Sequence, residues 1–133
     1  MLLVILASGV DRIPLGLAVL KWDRELGATV EALFPKNMSL TPNFANQIFS
    51  MHFVGDLSSS NELVSLQVSD KKVLSQLLNF GDMKRSVVLI ISKYESFQDM
   101  EEKLIEITKE IKSNIGSGIK NLESIYKKQF SLK

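Results

Sequence analysis

Ser86-Val87-Val88-Leu89-Ile90-Ile91-Ser92 is the stretch that decides the fold. Five consecutive apolar residues, most of them β-branched, predict a strand, because such side chains suit the pleated, extended backbone. Successive side chains leave a strand on opposite faces, so an unbroken apolar run has to be covered on both. A sheet built around this stretch therefore needs packing layers on each side. Leu15 to Trp22 reads the same way, with Leu15, Leu17, Ala18, Val19 and Leu20 almost continuous. Both segments are expected in the middle of the sheet.

Working outward, Asp23-Arg24-Glu25-Leu26-Gly27 supplies a polar turn ending in a glycine able to take positive φ. Ala28 to Phe34 then alternates, with Val30, Ala32 and Phe34 on one face and Thr29 and Glu31 on the other, until Pro35 stops it. The pair forms an antiparallel hairpin. Thr41 and Pro42 open a helix that runs to Val54, threonine as N-cap and proline at the first helical position. Gly55 stops it, and Asp56 to Asn61, with Ser58-Ser59-Ser60, is a connector. Leu63 to Ser69 alternates Val64, Leu66 and Val68 against Ser65, Gln67 and Ser69, as an edge strand with one wet face does. Val73 to Phe80 is read as a strand, with a helix as the alternative. Ser69 to Lys72 and Gly81 to Arg85 are the turns on either side of it.

The last forty residues are helical. From Ser96, with Asp99 at the third position, Phe97, Met100, Leu104, Ile107 and Ile111 form one stripe, and Glu101, Glu102, Glu106 and Glu110 with Lys103 and Lys109 form the wet side. Asn114 to Gly118 breaks this helix. A second carries Ile119, Leu122, Ile125, Tyr126 and Phe130. The fold class is thus α+β (α/β in the broad sense): a five-stranded antiparallel sheet of order 2-1-5-4-3, one helix after the second strand and two C-terminal helices. One domain spans residues 1–133.

Composition narrows the function. The 133 residues carry 16 lysines and arginines against 15 acids, a net charge of +1. That balance argues against a dedicated nucleic-acid binder. Without cysteine there is no thiolate metal site, and His52 is the only histidine. No GxSxG or HExxH pattern occurs, so no catalytic, metal or cofactor residue is assigned and an enzyme is not expected. Gly116 and Gly118 precede Lys120, but between helices rather than after a strand, so they read as a hinge and not a phosphate loop. Met1 to Gly9 is apolar, lacks a basic start and is too short to span a membrane, which predicts a buried strand in a cytoplasmic chain. Lys112, Lys120, Lys127, Lys128 and Lys133 make the C-terminus locally basic. Peripheral contact with anionic lipid is the most that this predicts of a membrane.

The order of elements is similar to that of the longin domain and, more broadly, of roadblock and profilin-like folds. The likeness is sharpest at Trp22-Asp23 followed by Gly27-Ala28-Thr29-Val30-Glu31-Ala32-Leu33-Phe34-Pro35. That stretch resembles the D…GxxVExxFP hairpin opening the longin-like module of DENN proteins and related trafficking regulators. The resemblance implies a non-catalytic platform without a cofactor. It would associate with itself or another longin- or roadblock-type subunit, or engage a small GTPase in membrane trafficking or its prokaryotic counterpart.

Two surfaces are candidates for that contact. On the first helix, Phe44, Ile48 and Met51 form one stripe and Ala45, Phe49 and Phe53 another, wider than one sheet contact requires. If Phe44 and Ile48 lie on the sheet, Phe49 and Phe53 face sideways as an exposed patch, with Ile48 and His52 beside them. The second candidate is the edge strand at Ser65 and Gln67, where unpaired backbone groups would meet another chain. Two other readings share the fold. One is a profilin- or roadblock-like module binding a cytoskeletal or signalling protein. The other is a small-ligand sensor, which needs a polar group inside an apolar pocket, for which Gln76 is the candidate.

Overall fold

The computed structural model describes residues 15–23, 25–38, 40–53, 63–68, 71–80, 83–92, 96–113 and 121–130. Met1–Gly9, the serine-rich connector with Gly55, and the Gly116–Gly118 break lie outside them. Five strands, β1 (Gly16–Asp23), β2 (Gly27–Phe34), β3 (Leu63–Val68), β4 (Lys71–Phe80) and β5 (Met83–Ser92), form one antiparallel sheet of order β2-β1-β5-β4-β3. The helices are α1 (Pro42–Ser50), which continues into a 3-10 turn at Met51–Phe53, α2 (Phe97–Ser113) and α3 (Leu122–Phe130). This is the α+β architecture and strand order expected.

The double-sided demand of β5 is met as its composition requires. Val87, Leu89 and Ile91 join Leu17, Val19, Leu74 and Leu78 under α2 and α3, where Met100, Leu104, Ile107, Ile111, Leu122, Ile125 and Tyr126 close the core. Val88 and Ile90 join Ala18, Leu20, Val73 and Leu77 on the opposite face with Ala45, Ile48 and Phe49 of α1. β4 is a strand, not a helix, because both of its faces enter these cores at period two. It begins at Lys71, so the two lysines expected in a turn are paired residues. β5 likewise starts at Met83, three residues before the expected boundary, with Phe80 opposite Met83.

The alternation expected along β2 is broken. Val19 pairs with Ala32 and Leu20 with Val30, so Glu31 is the extra residue of a β-bulge. Ala32 and Phe34 therefore pack on the α2–α3 side, whereas Val30 shares the other face with Ala28. The bulge lets Glu31 reach Arg85 of β5, with Nε–Oε1 at 2.7 Å and Nη2–Oε2 at 3.3 Å. One further departure is Glu110, which leaves the wet side of α2 to accept from Lys128 of α3 at 2.7 Å.

Both predicted helix starts hold. Thr41 Oγ1 accepts from Phe44 N at 3.2 Å with Pro42 behind it, and Ser96 Oγ accepts from Gln98 N at 3.2 Å. The β1–β2 turn is closed by Asp23, whose Oδ1 accepts from Leu26 N at 3.0 Å and Glu25 N at 2.8 Å. Gly27 then takes φ of 81°, and a Cβ there would meet Asn46 Oδ1 at 2.6 Å. The Leu26 and Glu25 amides hold the Asp23 carboxyl below its ordinary value of 3.8. Because the folded-state pKa is depressed, this stabilisation is present above the ordinary value and lost as pH falls through the folded one. Asp23→Ala is expected to lower the urea midpoint at pH 7, and the gap to the unsubstituted protein should narrow below about pH 4. A gap that stays constant through acid would contradict this role.

Candidate interaction surface

The apolar face of α1 is used up inside the molecule. Ala45, Ile48, Phe49 and His52 stand at i, i+3, i+4 and i+7, and this single stripe is the one buried. Phe44, expected on the sheet, sits half-buried at the margin. Phe49, expected to face sideways and stay exposed, is only 1% accessible, and Ile48 is as deeply buried. Full burial of a phenylalanine is worth about 1.5–3 kcal/mol, which makes Phe49 part of the core and not a contact residue for another chain. The side chain of Phe53 lies outside the described residues.

The reason for this rotation is His52. It has 0% accessibility, and its Nε2 shares a 2.7 Å hydrogen bond with Ser75 Oγ of β4, which is also fully buried. Phe49 presents to the His52 ring edge-on, with centroids 6.3 Å apart. A buried imidazole would be costly without a partner. With Ser75 on the same face of β4 as Val73 and Leu77, the polar residue can turn inward and bring the 3-10 turn onto the sheet. Two signals in the sequence point to this arrangement: the i, i+3, i+4, i+7 spacing that includes His52, and a serine in phase with Val73 and Leu77. A second hydroxyl on this face, Ser86 Oγ, is buried with no hydrogen-bond partner among the described residues.

With Phe49 inside, Trp22 is the exposed aromatic residue among those whose side chains are described. It is 42% exposed and stacks on Phe49, centroids 5.5 Å apart and planes 29° apart. Period two from Leu20 puts it on the α1 face, beyond the end of the helix. Trp22, Phe49, Ser50 and Lys84 line a notch of about 390 Å³ there. Gln76 faces the other side of the sheet, in a smaller opening of about 270 Å³ with Leu77, Leu78, Ile105, Thr108, Lys109 and Lys112. It is therefore not the interior polar group; Ser75, Ser86 and His52 hold that place on the α1 side.

Ser65 and Gln67 lie where the sequence puts them, exposed on the edge strand β3. The two edges of the sheet differ in protection. β2 carries the bulge and the charged Glu31, both of its faces are packed, and Asn46 Oδ1 accepts from Ala28 N at 2.8 Å. β3 pairs with β4 through all six residues without a bulge, and Leu63-Val64-Ser65-Leu66-Gln67-Val68 contains no charge, proline or glycine. Among the described residues no strand lies on its outer side. Natural sheets usually blunt such an edge with lysine, proline or a bulge.

Among the described residues no group of three histidine or acidic side chains is placed to hold a metal, and no helix is long and apolar enough to cross a membrane. No protein-family model, curated protein or solved structure matches the chain.

The two buried serines separate cleanly by experiment. Ser75→Ala removes the hydroxyl that meets His52 Nε2 and is expected to cost about 1–3 kcal/mol by urea denaturation. Ser86→Ala removes a hydroxyl that was desolvated without return, and is expected to be neutral or to stabilise by up to about 1 kcal/mol. Equal losses for the two would contradict the assigned bond.

Proposed function

We propose that this chain is a non-catalytic protein-interaction module of longin type that works as a dimerising scaffold or a small-GTPase-regulatory platform linked to membrane trafficking. Its place of work is the cytoplasm. The observation that carries this reading is the contrast between the two sheet edges. β2 is blunted by the bulge, Glu31 and Asn46, whereas β3 is a regular neutral strand with no such device. An edge of that kind is a template for a further strand, and main-chain hydrogen bonds would supply the affinity. Support also comes from the order of elements, which resembles that of longin and roadblock modules, and from the resemblance of the Trp22-Asp23 and Gly27–Pro35 stretch to the longin-like hairpin pattern.

The partner proposed first is a second copy of this chain, joined through antiparallel β3–β3 pairing about a two-fold axis. Such an interface is isologous, so both copies present the same residues. Another longin- or roadblock-type subunit would use the same edge. A small GTPase would then bind the assembled platform. The first helix is set aside as the contact surface, because Ile48, Phe49 and His52 are spent on the core.

Solution mass by size-exclusion chromatography with light scattering, over a wide concentration range, is expected to show a dimer. Ser65→Lys combined with Gln67→Lys should convert it to a monomer with unchanged circular dichroism, since both side chains are already at the surface. Like charges facing each other across the two-fold would oppose pairing. A dimer that survives both lysines would move the interface elsewhere, and a monomer at every concentration would overturn self-association.

A further inference from the structure

We infer that β3 accepts the β3 strand of a second copy in one register, centred on Leu66, so that each Ser65 stands opposite the other copy's Gln67. The inference rests on the self-association proposed above and names the alignment that such a partner must adopt. Two copies of one strand pair antiparallel only about a two-fold axis perpendicular to the sheet, and each face then continues onto the same face of the partner. Side chains alternate between the faces, so residues standing opposite one another must share a phase. The two residue numbers in every pair therefore have an even sum, and the axis passes through a residue and never between two.

Within Leu63–Val68 the two longest alignments that obey this rule use residues 63–67 or residues 64–68. Centred on Ser65, the first sets Leu63 opposite Gln67, Val64 opposite Leu66 and Ser65 opposite itself. Centred on Leu66, the second sets Val64 opposite Val68, Ser65 opposite Gln67 and Leu66 opposite itself. The two faces of β3 decide between them. Leu63, Ser65 and Gln67 share the α2 side with Gln76, Leu74 and Lys72, whereas Val64 and Leu66 share the α1 side with Ser75 and Val73. Leu63 packs against the core beneath α2 and α3. The Ser65 centring would press an exposed Gln67 amide on that leucine at both ends of the interface. With the Leu66 centring, the amide meets the exposed hydroxyl of Ser65, which can accept from it or donate to it. On the other face Leu66 already packs against the α1-side core, so its place on the axis joins the two copies' cores into one apolar layer. The other edge of a second copy offers no such match. β2 brings Glu31 and a bulge, and a β3–β2 contact would be head-to-tail and would not close.

The chain has no cysteine, so a single introduced thiol reads a single position. Ser65→Cys and Gln67→Cys both fall at exposed positions, where the fold should survive, as circular dichroism would show. Each variant is oxidised alone and in an equimolar mixture, one of them isotope-labelled so that mass separates the products. Directly opposed residues lie within reach of a disulfide, and residues displaced by two lie beyond about 7 Å. The Leu66 register predicts that the mixed 65–67 covalent dimer exceeds the 65–65 product by about fivefold or more. A 65–65 disulfide that dominates in Ser65→Cys alone would overturn the register and leave β3 pairing intact. Light scattering that shows a dimer while neither position forms a disulfide would place the contact away from β3 and overturn the register with it. An unsubstituted chain that stays monomeric at every concentration would instead overturn the self-association beneath it.

Discussion

The constraint on which the rest depends is the burial of β5 on both faces. Leu89 is flanked by Leu17 and Leu74, and Ile90 by Gly16 and Val73, so the strand sits between β1 and β4. The β1–β5 pairing joins segments some seventy residues apart in the chain, and neither face of β5 tolerates water. α1 must therefore close one side and α2 with α3 the other. Once the two most apolar strands occupy the interior, β2 and the short β3 are left as edges among the described strands. Edges are where a sheet meets other chains, so the hydrophobic demand of five residues ends by deciding which surfaces are available.

Much of this was legible. Uninterrupted apolar runs mark the central strands, alternation marks β3, and the Thr41-Pro42 and Ser96 starts mark two helices. Those signals depend on period and capping, which are local. What could not be read locally was misplaced. The bulge at Glu31 moves Val30 to the other face, and nothing in the alternation of Ala28 to Phe34 announces it; only the distant Arg85 gives Glu31 its direction. The rotation of α1 has the same origin. Two adjacent apolar stripes leave the angle open, and the choice falls to a hydrogen bond between His52 and a serine 23 residues away. A polar residue next to an apolar stripe reads as its boundary until its partner is known.

The candidate site follows the same division. Ser65 and Gln67 fall on an edge strand, as expected, because such strands can be recognised from alternation and flanking polarity. Phe49 was misassigned as exposed because a wide apolar face says that something covers it, not what. Trp22 was passed over for the opposite reason. It ends an apolar strand, and only the position of α1 above Phe49 leaves its indole at the surface. The β3 edge and Trp22 of β1 lie apart in the sheet, with β5 and β4 between the two strands.

The proposed role requires that β3, an edge among the described residues, pairs with another chain. Amide hydrogen exchange followed over a rising protein concentration tests this most directly, because it reads the backbone groups of the edge themselves. Exchange at Leu63–Val68 is predicted to slow as concentration rises, while the β2 amides keep their rates. Exchange at Leu63–Val68 that ignores concentration, or protection that grows at Gly27–Phe34 instead, would contradict the account.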